Sequence, residues 1–305
     1  MTDYGRPLEF GSFLIPNAAD YPRLVELARL IDDLGLDLIG IQDHPYQRRF
    51  LDTWTLLTAV AMQTTRVRVF PDVANLPLRP PAVLAKAAAS LDLMSGGRVE
   101  LGLGAGGFWE AIAAIGGPTR QPREAVAALE EAIAVIRLMW SDQRTAYFDG
   151  RFYTLHGVHP GPAPKHPIGI WIGGTGPKML DLTGRLANGW IPSYSYVPPE
   201  KLPAMQQRID EAAISVGRDP STIQRVYNIS GHITGGSSSG GLDGPVDRWV
   251  DELTKLTIEY GMDSYIFATA DSPESQLQRF ALEVIPQVRE NVARHRLSSQ
   301  KSTTS

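Results

Sequence analysis

Two rhythms take turns along this chain. Short apolar runs give way to longer segments with apolar residues three and four positions apart, the pattern of buried strands alternating with amphipathic helices. Leu8 to Ile15, bounded by Pro7 and Pro16, reads as a buried first strand. Asp20 then caps a helix to about Leu34, with Leu24, Leu27, Ala28 and Ile31 on one face and Gly35 as its stop. The next strand, Leu38 to Gln42, ends in Asp43-His44-Pro45. A helix over Asp52 to Met62, a strand over Val67 to Ala74 and a helix over Pro81 to Leu93 continue the series. Arg98 to Glu110 predicts a strand running straight into a glycine-dense turn, and Glu124 to Trp140 a helix carrying Val126, Leu129, Ile133, Ile136 and Leu138 on its apolar side.

From Ser141 to Pro167 the alternation breaks. Tyr147 to Tyr153 reads as a short hairpin around Asp149-Gly150, and His156 to Pro167 is proline-rich and extended. This stretch is an insertion beside the barrel mouth, or else a surface loop. Strands resume at Ile168 to Ile172, Trp190-Ile191, Ile223 to Ile229 and Ser264 to Ala268. The helices between and after them end at Leu186, span Glu200 to Val216 and Pro245 to Tyr260, and run from Pro273 to about Arg294. Gly235 to Gly244 is a Gly/Ser loop expected to be mobile, and 296–305 a disordered polar tail. Eight strand-helix units predict a (β/α)8 TIM barrel, one domain over 1–295 with an insertion at about 141–167, after the fourth unit.

Composition narrows the partners. With 43% hydrophobic and 20% charged residues the chain has the balance of a globular protein with a substantial core. A net charge of -4 offers no basic footprint, so nucleic acid and anionic membranes are poor partners. The absence of cysteine removes disulfides, thiolate metal sites and cysteine nucleophiles. The amino terminus lacks the apolar core of a signal peptide, and no run approaches the roughly 18 apolar residues of a membrane span. A cytoplasmic protein acting on a small molecule is expected, with a homodimer as its assembly.

In such barrels chemistry gathers just past the carboxyl ends of the strands. His44 stands there beside Asp43, held extended by Pro45, and a histidine in that place can move protons near neutral pH. A histidine hydrogen-bonded into a polar loop is the alternative. Asp72 is an acid ending an apolar strand, so it faces the mouth or finds a partner. Gly102, Gly104 and Gly107 match the Gly-x-Gly-x-x-Gly spacing, but no acidic residue ends a second strand about 20 residues on, so Gly104, Ala105, Gly106 and Gly107 form a ligand loop or simply a tight turn. Gly173, Gly174, Thr175 and Gly176 open a helix with Lys178 close by, a better phosphate signal. Asn228 and Thr269 are weaker candidates. No carboxylate and histidine cluster suggests a metal.

These motifs carry a resemblance. The chain resembles the bacterial luciferase-like flavin-dependent oxidoreductases, in the compact branch that uses the deazaflavin coenzyme F420, over about Leu8 to Arg289. The matching stretches are the Asp43-His44 ending, Leu76 to Lys86, Leu91 to Gly106, Trp171 to Gly174, and Gly184 to Trp190. The resemblance implies a flavin or deazaflavin ring at the mouth, a cis peptide at Asp72-Val73 with Ala74 and Asn75 beside the ring, and cofactor contacts at Asp43, at Gly104 to Gly107 and at Glu110. It also implies phosphate contacts at Gly173 to Thr175, extending to Gly176. His44 falls where deazaflavin-dependent sugar phosphate dehydrogenases carry their catalytic histidine, with Asp43 at its side. Their neighbouring catalytic glutamate falls on Gly107 here, and their phosphate-binding lysines have no counterpart, which argues against sugar phosphate oxidation. Hydride transfer with F420 is the expected activity. An FMN-dependent monooxygenase is the runner-up, and a non-redox barrel lyase or isomerase a remote third.

Overall fold

The structure is a computed structural model; it describes residues 3–236, 240–269 and 272–303, with the side chains of 300–303 left undescribed. Strands β1 (Glu9–Leu14), β2 (Leu38–Ile41), β3 (Arg68–Pro71), β4 (Ala74–Asn75) and β5 (Leu101–Gly104) occupy the first half. A hairpin, β6 (Ala146–Asp149) and β7 (Thr154–Val158), stands apart, and β8 (Ile170–Gly173), β9 (Gly189–Trp190), β10 (Gln224–Ser230) and β11 (Ser264–Ala268) complete the sheet. The helices between them are α1 (Tyr21–Asp33), α2 (Thr53–Gln63), α3 (Pro81–Ser95), α4 (Trp109–Ala114), α5 (Pro122–Met139), α6 (Pro177–Leu186), α7 (Leu202–Ser215), α8 (Val246–Ile258), α9 (Pro273–Arg279) and α10 (Ile285–Thr303).

Among the described residues the main sheet runs β3-β2-β1-β11-β10-β9-β8-β5-β4, all parallel, and a parallel bridge from Val69 in β3 to Val99, just before β5, closes it. Because β3 and β4 are two halves of one strand position, the sheet closes with eight positions, as the strand-helix count requires. The expected continuous strand over Val67 to Ala74 is therefore broken, by a cis peptide at Asp72-Val73. The core follows the strand alternation. Ile39 and Ile41 join the layer beneath the helices, while Leu38, Phe70, Trp171, Ile191, Val226 and Ile266 form a separate cluster inside the barrel.

Local differences have local causes. Asp20 stands at the start of α1 without a side-chain cap bond, and Asn17 instead accepts from the Ala19 N–H to cap the preceding 3-10 turn. Asp52 does cap α2, accepting from the Thr55 N–H at 2.9 Å. The hairpin is longer than expected and takes Thr154–Val158 out of the extended proline-rich stretch. It is pinned to α5 by Glu131, whose carboxylate accepts from the Arg151 and Phe152 N–H groups at 2.9 and 2.8 Å. The last helix continues to Thr303, so the expected tail is helical up to that residue and Thr304 and Ser305 lie outside the described part. In the Gly/Ser loop, 237–239 also lie outside it.

Candidate active site

The carboxyl ends of the strands converge on one mouth, and the bulge after β3 sits at its centre. Val73 projects against three glycines. A Cβ on Gly104 would come within 2.8 Å of Val73, one on Gly173 within 3.1 Å, and one on Gly102 would collide with the Pro71 carbonyl as well. Those glycines make room for the bulge. Gly107 and Gly176 are different, for a Cβ there meets nothing within 4 Å, and Gly106 needs its bare Cα because its φ is 105°.

Asp43 is 1% exposed, and its carboxylate is fully engaged. It accepts from Arg79 Nε and Nη2, both at 2.7 Å, and from the Asn75 N–H at 2.9 Å, while Arg79 also donates to Asp52 at 2.7 Å. A buried bidentate pair of this kind fixes the backbone at Asn75 and the end of β2. His44 beside it is half-buried, and burial pushes its imidazole below its ordinary value, with the Asp43 charge opposing. Its Nδ1 lies 3.0 Å from the Gln42 side-chain nitrogen. An amide N–H donated there leaves the ring proton on Nε2. The ring stacks on Tyr46 at 5.3 Å and meets Phe108 edge-on at 5.5 Å.

Asp72 faces the barrel interior against Gly40, where a Cβ would lie 3.1 Å from its Oδ2. Asn228 donates to its Oδ1 at 3.2 Å and to Ser193 at 3.3 Å. Its Oδ2 is buried without a partner, and burial pushes the carboxyl up to about 7 against the opposing bond from Asn228. Asn75 Oδ1 is likewise buried and unpartnered.

Of the sequence-predicted residues, Ala105, Gly106, Gly173, Gly174 and Gly176 line one pocket of about 440 Å³. Arg123 in the first turn of α5 and Lys178 in the first turn of α6 line the same pocket, so two cations and two helix N-termini converge on it. Trp109 and Met179 supply apolar walls. Gly107, Glu110 and Thr175 are exposed at its rim, and none of the three lines it. Thr269 is described without a contact that assigns it a role. The sequence reading missed Arg123, Trp109, Gln42, Tyr46 and Phe108. Arg123 hides among the helix-forming residues of α5, and only Gln42, two positions before His44 at a strand end, carried a usable signal.

The features of this mouth fit a flat ring with an anionic tail. Gly107 and Gly176 leave backbone open, Asn75 Oδ1 lacks a partner, and the pocket is cationic and of ligand size. A closed eight-position barrel with such a mouth defines a class, the (β/α)8 ligand-binding barrels. Within it, the chain belongs to the luciferase-like monooxygenase family, whose profile matches residues 7–237.

Among similar proteins, an F420-dependent glucose-6-phosphate dehydrogenase of Kineococcus radiotolerans is 30% identical over 72% of this chain and 68% of its own. A 5,10-methylenetetrahydromethanopterin reductase of Archaeoglobus fulgidus is 29% identical over 72% of this chain and 62% of its own. Among solved structures, an F420-dependent secondary alcohol dehydrogenase in complex with an F420-acetone adduct superposes with a TM-score of 0.83 at 18% identity, covering 93% of this chain and all (100%) of that one. The oxygenating constituent of 3,6-diketocamphane monooxygenase of Pseudomonas putida, in complex with FMN, superposes at 0.75 with 17% identity over 93% of this chain and 99% of that one.

Proposed function

We propose that this protein is an oxidoreductase that uses the deazaflavin coenzyme F420 for hydride transfer to or from a small organic substrate. The observation that carries the reading is the pocket where Arg123, Lys178 and the start of α6 meet the open glycine backbone of Gly176. It suits a phosphate-bearing cofactor, and the relatives named above as F420 enzymes point to which one. The FMN monooxygenase reading shares the barrel, and no residue of this mouth favours it.

When bound, the deazaflavin supplies a carrier of two electrons and a hydride for a substrate carbon. Arg123, Lys178 and the α6 N–H groups would hold the anionic end, with Gly173 and Gly174 beside them. Val73, Ala74 and Asn75 would support the ring, and the unpartnered Asn75 Oδ1 would offer it an acceptor. Asp43 is the positioning residue that holds Asn75 and the His44 segment in place. His44 touches the substrate. With Nδ1 accepting from Gln42, the neutral ring would polarise a carbonyl or imine through Nε2–H; as the imidazolium, with Nδ1–H donated to the Gln42 oxygen, it would give its Nε2 proton to the heteroatom and become the neutral imidazole. Turning the Gln42 amide puts its oxygen on Nδ1–H and leaves Nε2 as the base for oxidation.

On this reading the chain acts as one barrel domain over 1–295, a homodimer in the cytoplasm, with no nucleic acid or membrane partner. Anaerobic turnover tests it. Carbonyl-dependent oxidation of reduced F420, with one reduced product per cofactor, is expected. Turnover only with reduced FMN and dioxygen contradicts the proposal.

A further inference from the structure

We propose that His44, Tyr46 and Phe108 form the substrate subsite and that it takes an aromatic or conjugated carbonyl compound rather than a sugar phosphate. This rests on the F420 reading and deepens it. The three rings come from two loops. His44 and Tyr46 follow β2, and Phe108 ends the turn after β5, so that turn leans across the end of β4 to reach them. Tyr46 and Phe108 lie 6.1 Å apart by ring centroid, closing a triangle whose other sides are the two His44 contacts.

Phe108 keeps 64% of its surface exposed although it touches two rings, and an apolar face left open at the barrel mouth is suited to covering something apolar. Planar π surfaces pack on planar π surfaces, offset or edge-on. The polar chemistry beside them is one donor, His44 Nε2–H, which matches a single carbonyl oxygen. A sugar phosphate asks for the opposite, several hydroxyl partners and a cation. Arg79, bonded to Asp43 beside His44, is committed to Asp43 and Asp52. Arg48 and Arg49 follow in the same loop and are exposed.

The test is binding to the F420-loaded protein by calorimetry and saturation-transfer NMR, with acetophenone, cyclohexanone and glucose 6-phosphate as probes. Acetophenone is expected to bind at least tenfold more tightly than the other two. Phe108→Ala and Tyr46→Phe keep the loops in place, and the first is expected to weaken acetophenone about three- to tenfold while leaving F420 affinity within twofold. Equal binding of acetophenone and cyclohexanone overturns the aromatic assignment. Glucose 6-phosphate binding that is lost on Arg48→Ala or Arg49→Ala overturns the substrate class. Failure of F420 itself to bind removes the cofactor reading instead, and acetophenone binding to the cofactor-free protein, weakened by Phe108→Ala, then still supports the subsite.

Discussion

Among single residues, where protons sit decides the chemistry. His44 could be singled out in the sequence because it ends a strand of an expected barrel, although a histidine bonded into a polar loop fitted that place as well. Its partner Gln42, two positions earlier at the same strand end, carried a signal as well, but the contact itself exists only once β2 delivers both side chains to the mouth. His44→Ala is expected to keep the fold and F420 affinity while single-turnover hydride transfer falls about 10²-fold. Gln42→Glu places a carboxylate on Nδ1, favours the charged imidazole, and is expected to move the pH-rate limb assigned to His44 upward; an unmoved limb contradicts the pairing. Asp72 makes a second case. Its folded value of about 7 lies above its ordinary 3.8, so its burial carries a stability penalty that grows as pH climbs from 3.8 to 7 and stays in full above that. Asp72→Asn is expected to raise the melting temperature at pH 8 and leave it unchanged near pH 3.5. An equal shift at both pH values would show that the charge is not the cause.

At the scale of elements, most strands and helices were written in apolar spacing alone, but the break between β3 and β4 was not. Val67 to Ala74 is an apolar run with one acid, and what splits it is the barrel interior, where Val73 meets Gly102, Gly104 and Gly173. The six-residue α4 was equally hidden behind its glycines. The start of α6 was legible from Gly-Gly-Thr-Gly, yet the second cation of the pocket came from α5. Replacing both cations, in Arg123→Ala/Lys178→Ala, is expected to weaken F420 by about ten- to a hundredfold with a flatter salt dependence. Unchanged affinity would move the phosphate elsewhere.

The far end of the insertion has a pH-dependent clasp. His166 lies between Glu100 and Asp92, 2.7 Å from the latter, and these carboxylates raise its value. A raised histidine adds stability that is complete below about 6.5 and fades as pH rises through the folded value. Melting temperature is therefore expected to respond to His166→Gln at pH 5.5 and far less at pH 9, and a difference that grows with pH contradicts the clasp.

At the scale of the whole molecule, closure of eight strand positions brings β2, β4, β5 and β8 to one rim, and with them residues 44, 75, 106 and 174 that the sequence holds far apart. The strand-helix count made that convergence predictable. The exchange of roles within it, glycines serving Val73 and Asp43 serving Arg79, required side-chain contacts that no spacing encodes. Equilibrium titration of the purified protein under argon, with F420 and with FMN in parallel, followed by fluorescence, decides which cofactor the mouth takes. Saturable F420 binding at least tenfold tighter than FMN, and weakened in Arg123→Ala/Lys178→Ala, is the predicted result; binding of FMN alone would contradict it.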